Sequence, residues 1–538
     1  MFDFFGNINK KIAYKINNNP FNTFIENSIE KVFNSELLLN EISKFITFEE
    51  RKIFFSSNKK LNSFFRNSIK RIYSKKIIGT PEIGRRFQNL KKLKFSWIWE
   101  IDLSFLRKGY YNNLEILKLK GDKFKDIEAV EKLYQIKELI LNGNNINNIY
   151  FIQNLRRITL LDLGNNKIED LTPLKNLFFL KSLSLQGCGI TNLEILNEKN
   201  FEGLEKLFIG LNKIKDYSFL KNLSNLKVLN IYQNFCTSID FIELLNVDKI
   251  IELNFGENQI RDFSLLKKMT CLKRLFLYHC NINNIRFLES PNFCGLEELC
   301  LGNNIICDFS PLNNLTNLKK LNLFNCNLSN IYFLENNIFF KIESLDIGCN
   351  HIDDCSPLAF FTNLKYLNIY NNEIREFFWL YNCNFSEIIE ELNCGSNPLE
   401  SFEFLENLKN LKKLNLIKCG IRDISFLNHK NFFNLKVLNL GKNFIENASI
   451  LGNMKKLTKL NLSENCIKDI QFLENDNSLI RKLNIGMNLI KDFTPLLRLE
   501  KLESVNLREQ NIIMDEKEKE QVLLIIEQIS KNVIKCKS

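Results

Sequence analysis

One apolar pattern, L-x-x-L-x-L-x-x-N/C-x-I, recurs along the chain and constrains its fold more than any other feature. Its central x-L-x-L-x segment is expected to form a short strand whose alternate side chains point to opposite faces. No unit can bury its apolar side alone, so neighbouring units must stack. The pattern predicts an α/β solenoid with a parallel sheet on its concave face, built from 19 units whose first residues are Leu90, Leu114, Ile136, Ile158, Leu180, Leu204, Leu226, Ile250, Leu272, Leu296, Leu318, Ile342, Leu364, Ile389, Leu411, Leu435, Leu457, Ile480 and Leu502.

The repeat divides the chain of 538 residues into three parts. The units cover residues 90–514, residues 1–89 lack the pattern and have apolar residues at helical spacing, and residues 515–538 begin with an acid and carry an apolar stripe. Because the open end of a repeat array needs a cap, we expect an all-α N-terminal region, the solenoid and a C-terminal capping helix. From Ile158 onwards the units alternate between 22 and about 24 residues, with small drifts late in the array, which indicates a doublet.

Two loop positions carry recurring polar residues. The ninth position is Asn in twelve units, and a buried Asn can bond the backbone of its own turn and of the neighbouring turn, which predicts a side-chain ladder. Free Cys mostly behaves as a small buried hydrophobe, so we expect the cysteines at this position to be ladder residues rather than nucleophiles: Cys188, Cys280, Cys326 and Cys419. In the shorter linkers, an acid shortly before Ser-Pro or Thr-Pro predicts a short helical turn, at Asp170, Asp308, Asp354 and Asp492.

These units resemble leucine-rich repeats. The 22-residue unit is similar to the class found in internalins and in the leucine-rich regulatory subunit of type 1 phosphatase. The resemblance implies a shallowly curved solenoid with short helical turns on its convex side.

The third, fifth and seventh positions of each unit are expected to face the concave surface. At the seventh position, alternate units carry Gly and the units between them carry a ring, so rings on strands about 4.8 Å apart would recur every ~10 Å along about 29 Å, with slots at the glycines. Rigid aromatic side chains dominate protein interfaces. We interpret six residues as a partner-binding surface for a protein or peptide, called the aromatic row: Phe208, Tyr232, Phe276, Tyr278, Phe324 and Tyr370. Packing between duplicated doublets is the alternative.

Two further stripes on this face have structural interpretations. The fifth position is Asn in most units, which we interpret as a stack that stabilises the sheet. The third position alternates in charge, which predicts cross-strand ion pairs rather than ligand contacts, at Glu252, Arg274, Glu298, Lys320, Glu391 and Lys413.

The N-terminal part contains a segment with a different pattern. Residues 33–67 read FNSELLLNEISKFITFEERKIFFSSNKKLNSFFRN, with apolar residues at helical spacing at Leu37, Leu38, Ile42, Phe45 and Ile46. Over residues 33–73 this resembles an F-box: F-N-S-E stands for the opening L-P-x-E, E-E for the acidic turn and N-K-K-L for the closing segment, with Asn34 in place of the usual Pro and Leu61 in place of the usual Trp. The resemblance implies that the five apolar residues dock a Skp-type adaptor. A plain helical cap over the first coil is the alternative.

Charge and composition exclude other function classes. Residues 1–110 contain 21 Lys and Arg against 10 Asp and Glu, whereas the remaining 428 residues contain 52 of each. Because phosphate binding needs a net basic face, we predict no nucleic-acid groove on the repeats.

No uninterrupted apolar run approaches the length of a membrane helix. Fifteen Cys without a C-x-x-C pair, and no secretory signal, favour reduced thiols inside a cell.

Nothing in the sequence indicates an enzyme. The chain has three His and lacks nucleotide-binding, kinase, hydrolase and zinc-protease motifs, so we predict no cofactor, no metal and a monomeric binding protein. Two functions remain open. The first is a substrate adaptor of a cullin–RING ubiquitin ligase, in which the F-box-like segment binds the ligase and the repeats hold the substrate. The second is a stand-alone binding scaffold, similar to a phosphatase regulator or an internalin.

Overall fold

The computed structural model describes residues 71–73, 90–96, 101–109, 111–121, 124–335, 337–474, 478–507, 510, 524–525 and 528. Its strands are β1 (Arg71–Tyr73), β2 (Lys92–Ser96), β3 (Ile101–Asp102), β4 (Ile116–Lys120), β5 (Phe124–Lys125), β6 (Glu138–Ile140), β7 (Leu160–Asp162), β8 (Ser182–Ser184), β9 (Lys206–Phe208), β10 (Val228–Asn230), β11 (Glu252–Asn254), β12 (Arg274–Phe276), β13 (Glu298–Cys300), β14 (Lys320–Asn322), β15 (Ser344–Asp346), β16 (Tyr366–Asn368), β17 (Glu391–Asn393), β18 (Lys413–Asn415), β19 (Val437–Asn439), β20 (Lys459–Asn461), β21 (Lys482–Asn484) and β22 (Ser504–Asn506).

One parallel sheet of 20 strands confirms the predicted solenoid, and β3 and β5 form a separate parallel pair. In the large sheet each strand pairs with the next in chain order, and each predicted unit has a strand that begins at its third position. The leucines at the fourth position are in register across neighbouring strands, as for Leu139, Leu161 and Leu183, and each of these three is at most 1% exposed. The apolar repeat therefore becomes a continuous core between the sheet and the convex side.

The sheet begins earlier than the repeat predicts. β1 pairs in parallel with β2, and Ile72 is in register with Leu93. The expectation of helix throughout residues 1–89 is therefore wrong at residues 71–73. A parallel edge strand offers unpaired backbone groups to any extended segment, so a strand can add there without the full repeat pattern. The F-box-like residues Leu37, Leu38, Ile42, Phe45 and Ile46 lie outside the described residues.

At the C-terminus the described residues Leu524, Ile525 and Gln528 are helical. Ile525 is buried, whereas Leu524 is exposed. The rest of the predicted capping helix over residues 515–536 lies outside the described residues.

The convex side consists of short 3-10 helices. Most of them follow an Asp, Asn or Ser whose side chain accepts a hydrogen bond from the backbone N–H two residues later, as from Ser310 N to Asp308 Oδ1 at 2.9 Å. The helical turns predicted after the four acids are confirmed. The helices are Ser104–Lys108, Ile127–Lys132, Tyr150–Ile152, Thr172–Asn176, Glu194–Asn197, Lys199–Phe201, Ser218–Asn222, Asp240–Leu244, Ser264–Lys268, Arg286–Glu289, Pro291–Gly295, Ser310–Asn314, Tyr332–Leu334, Asn337–Phe339, Ser356–Phe360, Phe378–Asn382, Glu403–Asn407, Ser425–Asn428, Lys430–Asn434, Ser449–Asn453, Gln471–Glu474 and Thr494–Arg498.

The predicted side-chain ladder runs along the loops that leave the strands. Asn304 shows its geometry: Nδ2 donates to the carbonyls of Leu277 (2.9 Å) and Leu301 (2.6 Å), one in the preceding unit and one in its own. Its Oδ1 accepts from the backbone N–H groups of Cys280 (3.0 Å) and Ile282 (2.9 Å). One buried side chain thus satisfies four backbone groups in two units.

The four cysteines at the ninth position occupy the same ladder, as predicted. Cys280 Sγ donates to the carbonyl of Phe255 in the preceding unit at 3.3 Å. A thiol supplies this donor, but its sulfur is a weaker hydrogen-bond acceptor than the amide oxygen of Asn. Burial raises the pKa of Cys280 to about 11, which keeps it an unreactive thiol. These four cysteines also mark the 24-residue units that carry two convex helices instead of one.

We predict that Asn304→Ala lowers the free energy of unfolding by about 3 kcal/mol, because it leaves buried backbone groups without partners. Asn304→Cys should cost less, since the thiol can still donate to the preceding strand. The measurement is urea denaturation followed by circular dichroism, with Asn222→Ala, a half-buried Asn outside the ladder, as the control. Equal loss for the Ala and Cys variants would contradict the interpretation of the thiols as ladder residues.

Candidate functional site

The aromatic row lies on the concave face, on β9, β10, β12, β14 and β16 and the residues that follow them. Phe208 and Phe276 end their strands at the fifth position, and the other four rings follow two residues after the strand end. All six side chains are half-buried. They are therefore partly accessible, but they do not stand free of the sheet.

The glycines between the rings are not empty slots, which corrects that expectation. A Cβ on Gly210 would overlap the ring of Tyr232, and a Cβ on Gly256 would overlap the ring of Tyr278. Each tyrosine therefore lies flat over the glycine of the preceding unit. Glycine is needed at these positions because a ring can approach the backbone closely only where no side chain intervenes.

The two tyrosine hydroxyls are held by polar side chains of earlier units. Gln186 Nε2 donates to Tyr232 Oη at 2.5 Å, across the unit that contains Gly210. Tyr278 is hydrogen-bonded to Asn254, and burial raises its pKa to about 12. Sequence reasoning missed Gln186, although it occupies the same seventh position as the rings. These contacts fix the rings against the sheet before any partner arrives.

The second half of the row is arranged differently. The ring of Phe324 lies towards Gly348 in the following unit, 3.2 Å from the place where a Cβ would stand. Phe276 is in register with Cys300 on β13, and burial raises the pKa of that thiol to about 11. Tyr370 is half-buried at the end of the row. Rings and glycines together form a low, apolar floor rather than a row of separate projections.

The asparagines at the fifth position have a structural role, as predicted. Their Oδ1 atoms accept hydrogen bonds from the backbone N–H at the seventh position, as from Tyr232 N to Asn230 (3.1 Å) and from Phe324 N to Asn322 (3.0 Å). Each Asn thus turns the chain out of the strand and sets the place of the ring that follows. Asp346 takes the same position; burial raises its pKa, and it accepts from the amides of Asn322 and Asn368.

Cross-strand ion pairs at the third position are confirmed. Arg274 pairs with Glu252 at 2.5 Å, Lys320 with Glu298 at 3.6 Å, and Lys413 with Glu391 at 2.6 Å. These charges are satisfied within the sheet and are not free for a ligand.

A second charge ladder, not predicted from the sequence, runs along the edge where the strands begin. Glu115 lies between Lys91 (2.8 Å) and Lys137 (3.0 Å), and Glu205 is paired in the same way with Lys181 and Lys227. Hydrogen bonds from these lysines lower the pKa of both carboxyl groups. Alternation of Lys and Glu at the second position is the sequence signal that would have revealed this ladder.

Within the described ranges, no three or more His, Cys, Asp or Glu residues are grouped so that they could hold a metal ion. The same part of the chain contains no helix with the length and apolarity that crossing a membrane requires. The most exposed rings lie elsewhere, at Phe179 in the loop before β8 and Phe378 on a convex helix.

Comparison with known proteins identifies the repeat type. A family model described as "Leucine Rich repeats (2 copies)" matches residues 434–475. No curated protein matches the sequence. Among solved structures, TLR13 in complex with ssRNA13 is 21% identical, with 81% of this chain and 69% of that chain covered and a TM-score of 0.50.

Two Listeria monocytogenes proteins are also similar. An internalin, inlF, is 27% identical over 71% of this chain and 89% of that chain, with a TM-score of 0.38. The functional domain of InlJ, described as including a cysteine ladder, is 20% identical over 68% and 72%, with a TM-score of 0.40. Together with the family match and the parallel sheet, the likeness to TLR13 establishes the fold as a leucine-rich-repeat solenoid.

We predict that Gly256→Ala displaces the ring of Tyr278, because the new methyl group needs the space that the ring occupies. The pKa of Tyr278 should then fall from about 12 towards the ordinary tyrosine value of about 10, since exposure removes the burial that raises it. NMR titration with Cζ-labelled tyrosine, assigned through Tyr278→Phe, measures this shift. Gly203→Ala is the control, because a Cβ there meets nothing within 4 Å. An unchanged pKa of Tyr278 in Gly256→Ala would contradict the placement of the ring over Gly256.

Proposed function

We propose that the protein is a non-catalytic receptor that binds a protein or peptide on its concave face, with the aromatic row as the central contact. The observation that carries this proposal is the floor of half-buried rings, held flat by glycines and by Gln186 and Asn254. Rigid aromatic groups that are already ordered lose little conformational entropy on binding. Leucine-rich-repeat folds commonly serve as interaction scaffolds or receptors, which supports the same conclusion.

The test begins with peptides selected from a random displayed library on the full chain. We predict that Tyr278→Ala with Phe324→Ala weakens the best selected peptide at least about 30-fold, since central aromatic residues often contribute about 2 kcal/mol or more. Isothermal titration calorimetry measures the affinity. The matched control is Phe179→Ala with Phe378→Ala, which removes two exposed rings from other surfaces. Equal loss in both double variants, or none in either, would contradict the aromatic row as the binding site.

The finer proposal is that this receptor is a substrate adaptor of a cullin–RING ubiquitin ligase. Its support is the F-box-like sequence of residues 33–73 followed by leucine-rich repeats. Here the N-terminal segment would bind a Skp-type adaptor and the concave face would hold the substrate. The fourteen cysteines in the described part of the chain are free, which supports a reducing, intracellular location for such a role.

We predict that the full chain co-purifies with a Skp-type adaptor and a cullin, and that Ile42→Asp abolishes the complex by placing a charge on the apolar helical stripe. Leu61→Asp, at the place of the usual F-box Trp, provides a second variant. Circular dichroism verifies that the variants remain folded. Retention of the complex by both variants, or no complex with the wild type, would favour a stand-alone binding scaffold, similar to a phosphatase regulator or an internalin.

A further inference from the structure

Four lysines form a cluster at the N-terminal end of the concave face. Lys92 and Lys94 belong to β2, and Lys118 and Lys120 belong to β4. In both strands they alternate with buried apolar residues, so they project on the open side of the sheet. Lys94 and Lys118 are directly opposite each other in the register of the two strands. We call these four residues the lysine cluster.

The cluster concentrates positive charge on a small area. Neighbouring strands are about 4.8 Å apart and alternate residues of a strand about 6.6 Å apart, so the four side chains start from a patch of roughly 5 by 13 Å. Like charges directly opposite in a sheet are destabilising. Glu138 approaches Lys118 at 3.6 Å, but within the described ranges Lys92, Lys94 and Lys120 have no ion pair.

This arrangement differs from the paired charges elsewhere on the sheet. On the neighbouring edge of the same units, Lys91 and Lys137 share Glu115. On the concave face itself, the charged third positions of the middle strands pair across the sheet, as Arg274 does with Glu252. Lys459 and Lys482 on β20 and β21 are also directly opposite each other, but the lysine cluster brings four lysines together, and such a local excess of positive charge attracts anions.

We propose that the lysine cluster binds an acidic segment of the same protein partner that contacts the aromatic row. The inference rests on the proposed function, because both surfaces lie on one concave face. Phe208 lies four strands beyond β4, a separation of about 19 Å. An extended peptide covers that distance with about six residues at ~3.3 Å each. One short segment with an acidic end and an apolar end therefore reaches both surfaces.

The surroundings favour carboxylates of a protein over a phosphate chain. Between the cluster and the aromatic row, Glu138 and Asp162 occupy the third and fifth positions. Their charges would repel a phosphate backbone that continued along the face, whereas a peptide can place neutral residues there.

The test measures fluorescence polarisation of labelled hexaglutamate with the full chain at low ionic strength, with hexaglutamine as the neutral probe. We predict binding of hexaglutamate only, and a loss of at least about fivefold in Lys94→Gln with Lys120→Gln, as expected for removing two exposed ion-pair partners. Lys91→Gln with Lys137→Gln removes the same charge from the neighbouring edge and should change the affinity less than about twofold. The melting temperature of the cluster variant should not fall, because the substitutions relieve repulsion between lysines.

Equal weakening in both double variants would show attraction by net charge alone and would overturn the proposal, as would hexaglutamate binding that does not depend on Lys94 and Lys120. An oligothymidylate of matched charge that binds more tightly than hexaglutamate, through the same lysines, would assign the cluster to a phosphate chain and would also overturn it. Tyr278→Ala with Phe324→Ala should leave hexaglutamate binding unchanged. Failure of the aromatic row and failure of the lysine cluster are therefore detected separately.

Discussion

The buried ladder at the ninth position is the interaction on which the rest of the structure depends. Each chain segment that leaves a strand would otherwise carry unpaired backbone groups into the interior, at a cost that no small unit could offset. An Asn such as Asn304 satisfies four of them and ties its own turn to the preceding unit. The ladder therefore sets both the shape of the turn and the stacking of the strands, and it brings equivalent positions of different units into straight columns on the concave face.

Those columns explain how a simple repeat produces a specific surface. Asn at the fifth position bonds the backbone at the seventh and so directs the ring that follows. Glycine at the seventh position of the unit between lets a tyrosine lie against the backbone. The result is an ordered floor with little relief, suited to an extended or flat partner. Three different residue types cooperate here, although only the rings would contact that partner.

The charged side chains of the sheet also interact mainly with those of adjacent units. At many second and third positions, charges of opposite sign alternate between stacked units and pair across the sheet, which reduces the long-range field of the repeats. An unpaired cluster is then conspicuous, because its field is not cancelled by adjacent units. The lysines of β2 and β4 give one end of the concave face a positive charge that the aromatic row lacks. A segment bound to both surfaces would therefore place its acidic end on the lysine cluster and its apolar end on the aromatic row.

The repeat pattern was enough to predict the class of fold, the 19 strand positions, the ladder and the ion pairs at the third position. All of these depend on contacts between identical positions of adjacent units, and a stacked repeat brings such positions together without further information. The directions of the rings could not be predicted in this way, because a rotamer depends on the space that neighbours leave in the folded chain: Tyr232 lies over Gly210 and reaches Gln186, whereas Phe324 turns towards Gly348. Likewise β1 joins the sheet by backbone pairing with the edge strand β2. Its short sequence lacks the repeat pattern, so this pairing could not be predicted from the repeat.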